Sequence, residues 1–503
     1  MYRRIRNGAA VTRTSPPKKV PGKTPRALSA RAAALRRGPG FLAFPALLCG
    51  LLLLLCGTAR QAGAESFPLD FTTIRLGAAP RVVLVVGGIQ GDEPGGFSAA
   101  TLLATRYEIS EGAVWVVPNL NFPSIIRRSR GLHGDMNRKF ARLAETDPEF
   151  ATVRRIQELI RHPGVGLVLN LHDGSGYYRP KHEDRLRNPG RWGQSVIIDQ
   201  EALDAGTFMG DLARVADAVT GEANQRLIRP LHTLHVHNTR TAAGDKEMEK
   251  SLSYYAVRHG KAAFGLEASK EFPVELRAYY HLLLIEAFLR RAGVRFSRDF
   301  ELAPEGVARA LRENLGVSFA ENRVFLPLED VRPAIGYLPL PKNSPARAIT
   351  SKPIMAVLPC EGRADRICIH YGNRTITLIR PDWREVDPSL DAMAVHVDGR
   401  EETVPFGSIL DVTDTAIVRP QPGYRVNAIG MDSGRPDESG LPLRRGDFQP
   451  RFSVDRRGTL FRVEVYSGTR FSGMFLLRFA GGRATAAKPP LPDRPGPETA
   501  LGF

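Results

Sequence analysis

The sequence predicts an α/β domain followed by two small all-β domains, and three observations carry that prediction. Between Glu65 and about residue 300, short apolar runs alternate with segments of helical periodicity, the pattern of a sheet with helices packed on it. Past residue 300 the composition turns to short β-type runs broken by Pro and Gly, as in sandwiches and barrels. A chain of 503 residues with 43% apolar content exceeds one ordinary domain and supplies cores for two or three. The boundaries expected are a leader at 1–64, the α/β domain at 65–300, a β-rich middle domain at 301–385, a C-terminal β-sandwich at 386–484 and a Pro-rich disordered tail at 485–503.

The stretch from Arg81 to Gly96 organises the first domain. Val82 to Val86 is an unbroken apolar run, which reads as a strand buried on both faces, and Gly87-Gly88 lets the backbone turn sharply after it. Pro94 suits the first turn of a helix, so Glu93 falls near a helix start just past a strand's carboxyl end, where open α/β sheets place their ligand sites. Further strands are expected at Val114 to Val117, Val165 to Leu171 and Ala262 to Leu266, and helices at Gly95 to Arg106, Pro148 to Arg161 and Pro273 to Ala292. Beyond a helix at Pro304 to Leu315, β-type runs cover Arg323 to Leu328, Ile354 to Leu358, Ile367 to Tyr371 and Thr375 to Ile379. A second set covers Ala392 to Val397, Ala416 to Val418, Phe461 to Tyr466 and Gly473 to Phe479.

The net charge of +17 does not mark a nucleic-acid protein. Residues 1–64 hold twelve Lys or Arg and no Asp or Glu, so the rest of the chain carries 58 basic against 53 acidic residues. That leader has a basic Pro-rich head, an apolar core from Phe41 to Gly57 and a small-residue site at Ala62-Gly63-Ala64, which reads as a cleaved secretory signal; a single membrane anchor is the competing reading. The mature chain is expected in the periplasm with no stable membrane insertion. There, Cys360 and Cys368, flanked by β-type runs, read as a hairpin closed by a disulfide.

Chemistry gathers at the strand ends. Hydrolytic zinc sites use three protein ligands and keep one position open. Gln90 and Glu93 offer two donors in one turn, and His172, in Leu-Asn-Leu-His-Asp-Gly, is placed at another strand end to be the third. Arg130, Asn137 and Arg138 form a polar cluster suited to binding a carboxylate. Glu267 ends the apolar run Phe264-Gly-Leu and is positioned to move a proton near a metal. His232, His235 and His237 resemble a second metal cluster, although in a strand only the last two share a face.

The ordered set Gln90-x-x-Glu93, Arg130, Asn137-Arg138, His172 and Glu267 resembles the zinc carboxypeptidases. Gly-Ile-Gln-Gly-Asp-Glu, Gly-Asp-Met-Asn-Arg-Lys-Phe, Leu-His-Asp-Gly and Asn238-Thr-Arg-Thr are similar to one branch of them, the periplasmic D,L-carboxypeptidases that trim peptidoglycan peptides and control helical cell shape. The resemblance implies a mixed-sheet zinc carboxypeptidase-like catalytic domain, then a barrel-like and an immunoglobulin-like sandwich domain. It implies zinc as cofactor, bound by Gln90, Glu93 and His172, with Glu267 as general base and acid. Arg130 would polarise the scissile carbonyl, Asn137 and Arg138 would hold the terminal carboxylate of a peptidoglycan peptide, Trp192 would line the pocket, and Tyr254 or Tyr255 would close over it. The glutamine departs from the wider family, and a neutral amide oxygen is a poorer zinc donor than imidazole.

Two other functions use the same residues. One is a deacylase of small acylated amino acids, which shares the Arg and Asn-Arg elements; the leader and the β domains speak against it. The other is an inactive module that only binds wall peptides. A dinucleotide site at Gly87-Gly88 is excluded, since neither Gly-x-Gly-x-x-Gly nor Gly-Lys-Ser/Thr is present.

Overall fold

The computed structural model describes residues 69–480, Asn343 excepted. The expected leader and Pro-rich tail, and with them the signal and anchor readings, lie outside the described residues. Among those described, no helix is long and apolar enough to cross a membrane.

The first domain is built on a seven-stranded mixed sheet. Its strands are β1 (Ile74–Gly77), β2 (Val82–Val86), β3 (Ala113–Val117), β4 (Val165–Gly174), β5 (Ser195–Ile198), β6 (His235–Asn238) and β7 (Ala262–Ser269). They stand in the order β1-β3-β2-β4-β7-β5-β6. The central four, β3-β2-β4-β7, are parallel, while β1 pairs antiparallel with β3, and β5 pairs antiparallel with β7 and parallel with β6. Every residue of β2, β3 and β7 is buried, which is why their sequences read as apolar runs without alternation. Helices α1 (Pro94–Arg106), α2 (Phe122–Arg127), α3 (Phe150–Arg161), α4 (Leu212–Ala223), α5 (Leu252–Arg258) and α6 (Val274–Arg291) complete the domain. Twelve consecutive buried residues, Ala278 to Leu289, make α6 a helix apolar on nearly every side.

The chain leaves β2 for β3 on one side, while β4 lies on the other. This is a topological switch point, and a crevice opens beyond the carboxyl ends of the two strands. Gly88 makes the turn possible: its φ is +74°, and a Cβ there would come within 2.6 Å of Ile125. The strands foreseen at 82–86, 114–117, 165–171 and 262–266 all form. The last two run on, to Gly174 and Ser269, and so carry His172 and Glu267 inside the sheet.

Four sheets follow. A three-stranded one (Val324–Pro327, Gly316–Phe319, Ile349–Thr350) and a four-stranded one (Ala334–Leu340, Arg374–Trp383, Arg363–Tyr371, Met355–Cys360) belong to the middle region. The Met355–Cys360 and Arg363–Tyr371 hairpin is closed by the Cys360–Cys368 disulfide, with Cα atoms 5.1 Å apart. Two more four-stranded sheets face one another in the C-terminal region. One of them contains Leu460–Ser467 and Arg470–Phe479 and is buried on both sides. Phe461, Val463, Phe475 and Leu477 enter the C-terminal core, while Leu460, Met474 and Leu476 enter the core of the middle region. The two β regions therefore share one sheet.

The middle region also supports the first domain beside the crevice. Ile354 and Ala356 pack on Phe97, Phe122 and Ile125; Asn119 Nδ2 donates to Pro353 O at 2.9 Å, and Arg127 pairs with Glu361 at the hairpin turn. These contacts hold α2, and the loop that leaves α2 carries Arg130.

Candidate active site

Gln90, Glu93, Arg130, Asn137, Arg138, His172, Trp192 and Glu267 line a single cleft of about 260 Å³ at the switch point. These eight residues are thus in one place. Met248, Ser253 and Lys270 join them.

The metal donors converge. His172 Nδ1 lies 3.2 Å from Gln90 Oε1 and 2.9 Å from Glu93 Oε2, and all three side chains are buried. Ligands held at about 2.0–2.1 Å from a tetrahedral ion stand about 3.3–3.4 Å from each other, so these atoms could close on a zinc ion with small movements. Among the described residues no group of three His, Cys, Asp or Glu side chains could hold a metal, because here the third donor is an amide. Glu93 precedes α1 yet makes no capping bond of its own, since its carboxylate turns to His172 and to the Asp173 N–H.

An amide ligand can present either oxygen or NH2, and Asp135 selects between them. Gln90 Nε2 donates to Asp135 Oδ1 at 2.7 Å, which leaves Oε1 facing His172. An ionised carboxylate accepts only, so the reverse orientation would set the amide oxygen against it, acceptor against acceptor. Burial would raise the Asp135 pKa, but the bond from Gln90 and the charges of Arg130 and Arg138 outweigh it and hold the carboxyl below its ordinary range. Asp135 Oδ2 also accepts from Arg130 Nε at 3.0 Å, which ties the metal ligand to the arginine.

The neighbouring residue Asp173 anchors the other ligand. It is fully buried, and desolvation alone would raise its pKa; His281, Arg277 and the Gly95 N–H, 2.8 Å away, outweigh that and hold it down. A Cβ at Gly95 would come within 2.4 Å of Asp173 Oδ1, so the glycine is what lets α1 close on the end of β4. His172 and Glu93 are thereby pinned from behind.

Glu267 sits directly beside His172 in the parallel register of β7 and β4. It is only 8% exposed, and its Oε2 is buried without a hydrogen-bond partner. Desolvation first, and then the carboxylates of Glu93 and Asp173, push its pKa well above the usual value. A carboxyl held this way readily takes up a proton, which suits a group that must accept one and pass it on.

Arg130 reaches Glu93 Oε1 at 3.4 Å from a half-exposed side chain. Asn137 Oδ1 accepts from Leu252 N at 2.9 Å, which fixes its amide so that Nδ2 faces His172 Nε2 at 3.4 Å. Arg138 Nη1 donates to Asn137 O at 3.0 Å. Trp192 stands at the wall, tilted against His237 with ring centroids 5.0 Å apart.

Two expectations do not hold. His232, His235 and His237 form no metal cluster: His232 lies on a short 3-10 turn and bonds the Tyr280 hydroxyl at 2.6 Å, while His237 stacks on Tyr178 at 4.0 Å, and burial lowers its pKa to about 4. Neither Tyr254 nor Tyr255 lines the cleft. Ser253 does so from α5, whereas Tyr255 packs on Phe140 and His259.

Comparison with known families matches residues 65–312 to the carboxypeptidase controlling helical cell shape, catalytic domain, and residues 386–480 to the C-terminal domain of metallo-carboxypeptidase. The solved apo cell shape determinant protein Csd4 from Helicobacter pylori is 38% identical, with a TM-score of 0.75 over 82% of this chain and 100% of that one. Its tripeptide-bound form gives the same values. The mDAP-bound form of Helicobacter pylori Csd4, described as a D,L-carboxypeptidase, is 39% identical over 79% of this chain and 96% of that one, with a TM-score of 0.74. Comparison with curated protein sequences finds no match.

Proposed function

Because this chain belongs to the family of metallo-carboxypeptidases that control helical cell shape, we propose that it works in the periplasm as a zinc-dependent D,L-carboxypeptidase, releasing the third residue of peptidoglycan stems and so converting muramyl tripeptide to dipeptide. It is a hydrolase of the metallocarboxypeptidase class that acts on peptidoglycan and affects cell shape. The same reading gives the middle region a barrel-like plan and the C-terminal region an immunoglobulin-like sandwich. The observation that carries the reaction is the convergence of His172 Nδ1, Gln90 Oε1 and Glu93 Oε2 beside a partnerless Glu267 carboxyl.

Zinc held by Gln90, Glu93 and His172 would supply Lewis-acid polarisation of the scissile carbonyl and lower the pKa of the attacking water. Glu267 takes a proton from that water and delivers it to the leaving nitrogen, for which its buried setting and raised pKa are suited. Arg130, aimed by Asp135, donates to the carbonyl oxygen as negative charge develops there. Asn137 and Arg138 hold a terminal carboxylate, the guanidinium by a two-point contact, and this restricts the enzyme to chain ends. In a tripeptide stem the terminal diamino acid is joined through its L-centre, with the carboxylate ready for these groups. D-alanine, which ends longer stems, has the inverted α-carbon and would turn its side chain toward the space of the proton.

The test is digestion of sacculi by the purified zinc-loaded protein, with the products weighed by mass spectrometry. Dipeptide stems and free diamino acid support the reading. Release of D-alanine from tetrapeptide or pentapeptide stems, with tripeptides left intact, refutes it.

A further inference from the structure

Three cations line the cleft: Arg130, Arg138 and Lys270. The reaction described above employs the two arginines and leaves Lys270 without a role. Its backbone is fixed, with N donating to Gly174 O at 2.7 Å and the carbonyl accepting from Arg277 Nη2 at 2.6 Å. Its side chain, 30% exposed, reaches back into the cleft. There Nζ lies 3.2 Å from Asp92 Oδ2 and 3.4 Å from Glu93 Oε1. Glu93 turns its other oxygen, Oε2, to His172, so Oε1 and Asp92 share the ammonium.

Arg138 is held by Asn137, Met248 and Glu247, whereas Lys270 is held from Gly174, Arg277 and Asp92. A peptide whose terminal carboxylate occupies Arg138 and Asn137, and whose scissile carbonyl occupies Arg130, leaves Lys270 as the remaining cation of the cleft for its acyl residue. In the stem peptide that residue is a glutamyl unit linked through its side-chain carboxyl. Its α-carboxylate is free, and the carboxylate carbon stands four bonds of about 1.5 Å from the scissile carbonyl carbon, about 5 Å away when extended. A peptide whose acyl residue is uncharged has no anion there, and neither does a stem whose α-carboxylate is amidated.

We propose that Lys270 is a carboxylate-recognition site for the acyl side of the scissile bond, and that it makes the enzyme select γ-linked glutamyl stems carrying a free α-carboxylate over stems in which that group is amidated. The inference rests on the stem-peptide reading and adds a substrate class to it. Arg130 and Arg138 bind groups common to all carboxypeptidase substrates, whereas Lys270 meets a charge that belongs to the acyl residue and is lost when its free carboxylate is amidated.

The experiment compares L-alanyl-γ-D-glutamyl-diaminopimelate with its α-amide, using zinc-loaded wild type, Lys270→Met and Lys270→Arg. The wild type is expected to prefer the free acid by about 10-fold or more in kcat/KM, the low end for a hydrogen bond between charged groups at a partly exposed site. In Lys270→Met the ratio should fall toward one, and in Lys270→Arg it should persist. Equal rates on both peptides in the wild type, or the same ratio in wild type and Lys270→Met, overturn the proposal. A fall in zinc content with equal losses on both peptides also overturns it and makes Lys270 a support for Glu93. Calorimetric binding of both peptides to Glu267→Gln separates the two readings. If neither peptide is cleaved by the wild type but the acid still binds more tightly, the activity reading falls while Lys270 keeps its role; equal binding removes that role.

Discussion

Changing Asp135 to Asn tests how a glutamine is made to serve as a metal ligand. The substitution keeps the shape and removes one acceptor. Three donors converge on the two oxygens of Asp135: Gln90 Nε2 and the Asn137 N–H on Oδ1, and Arg130 Nε on Oδ2. Asparagine has one oxygen for them. If it faces Gln90, its NH2 meets Arg130, donor against donor; if it faces Arg130, Gln90 must flip to find a partner and turns its own NH2 toward His172. The second arrangement forfeits the ligand and the first frees the arginine. Each bond at stake joins a polar group to a charge and contributes about 1.5–3 kcal/mol. At about 1.4 kcal/mol per tenfold, zinc affinity should fall by about 10- to 100-fold, the range seen when groups supporting a metal ligand are removed. Competition with a chromophoric chelator at fixed pH measures it. In a Gln90→His background the same change should cost much less, because a ring N–H can donate to the asparagine oxygen whichever nitrogen holds the metal. Zinc binding within twofold of the wild type in the single variant would refute the orienting role, as would an equal loss in both backgrounds.

Further outcomes are expected elsewhere. Glu267→Gln should lower kcat by about 10² to 10⁴ while the zinc content stays near that of the wild type, and zinc lost together with activity would make Glu267 a ligand. Gln90→His should hold zinc more tightly in the same competition assay, since imidazole is the better donor; faster loss of metal would remove Gln90 from the coordination sphere. Arg138→Ala should act mainly on KM, and Arg130→Ala mainly on kcat by about 10² to 10³, as steady-state kinetics on a tripeptide will show. Asp199, 1% exposed, has its pKa raised to about 6 from 3.8 by burial, despite the bonds from Thr241 and Thr239. A raised acid favours folding below 3.8 and loses that contribution as pH rises through 6, which amounts to about 3 kcal/mol at pH 8. Asp199→Asn should therefore raise Tm at pH 7.5 and lose the advantage near pH 4. A difference in Tm that is the same at both pH values would contradict this.

What was legible in the sequence followed from burial. The central strands are buried on both faces, so they appear as apolar runs, and their carboxyl ends at Gln90, His172 and Glu267 could be marked before any coordinates. Strands β5 and β6 lie at the sheet margin; β6 is only partly buried, and its sequence His-Val-His-Asn carries no apolar run, so the alternation that signals a strand was hidden there. The same segment suggested a metal cluster because the spacing of its histidines was visible, while the 3-10 turn that takes His232 to Tyr280 was not.

The supporting residues were hidden for another reason. Asp135 and Asp173 lie inside motifs that the resemblance quoted, yet a sequence does not reveal which of several carboxylates turns inward. The partner that identifies Asp135 is 45 positions away, and those of Asp173 are 78, 104 and 108 away. Such contacts form only once the switch point brings the strand ends together. Asp173 is locked by buried partners at the base of the crevice, whereas Asp135 and Arg130 lie on a loop steadied by the middle β region through Ile354, Ala356 and Glu361. His172 is therefore built into the sheet and Glu93 into the helix start locked against it, while the orientation of Gln90 and the aim of Arg130 depend on a loop held from outside the sheet. Substitutions at the Ile354 and Ala356 contact should accordingly disturb the glutamine and the arginine before they disturb the glutamate and the histidine.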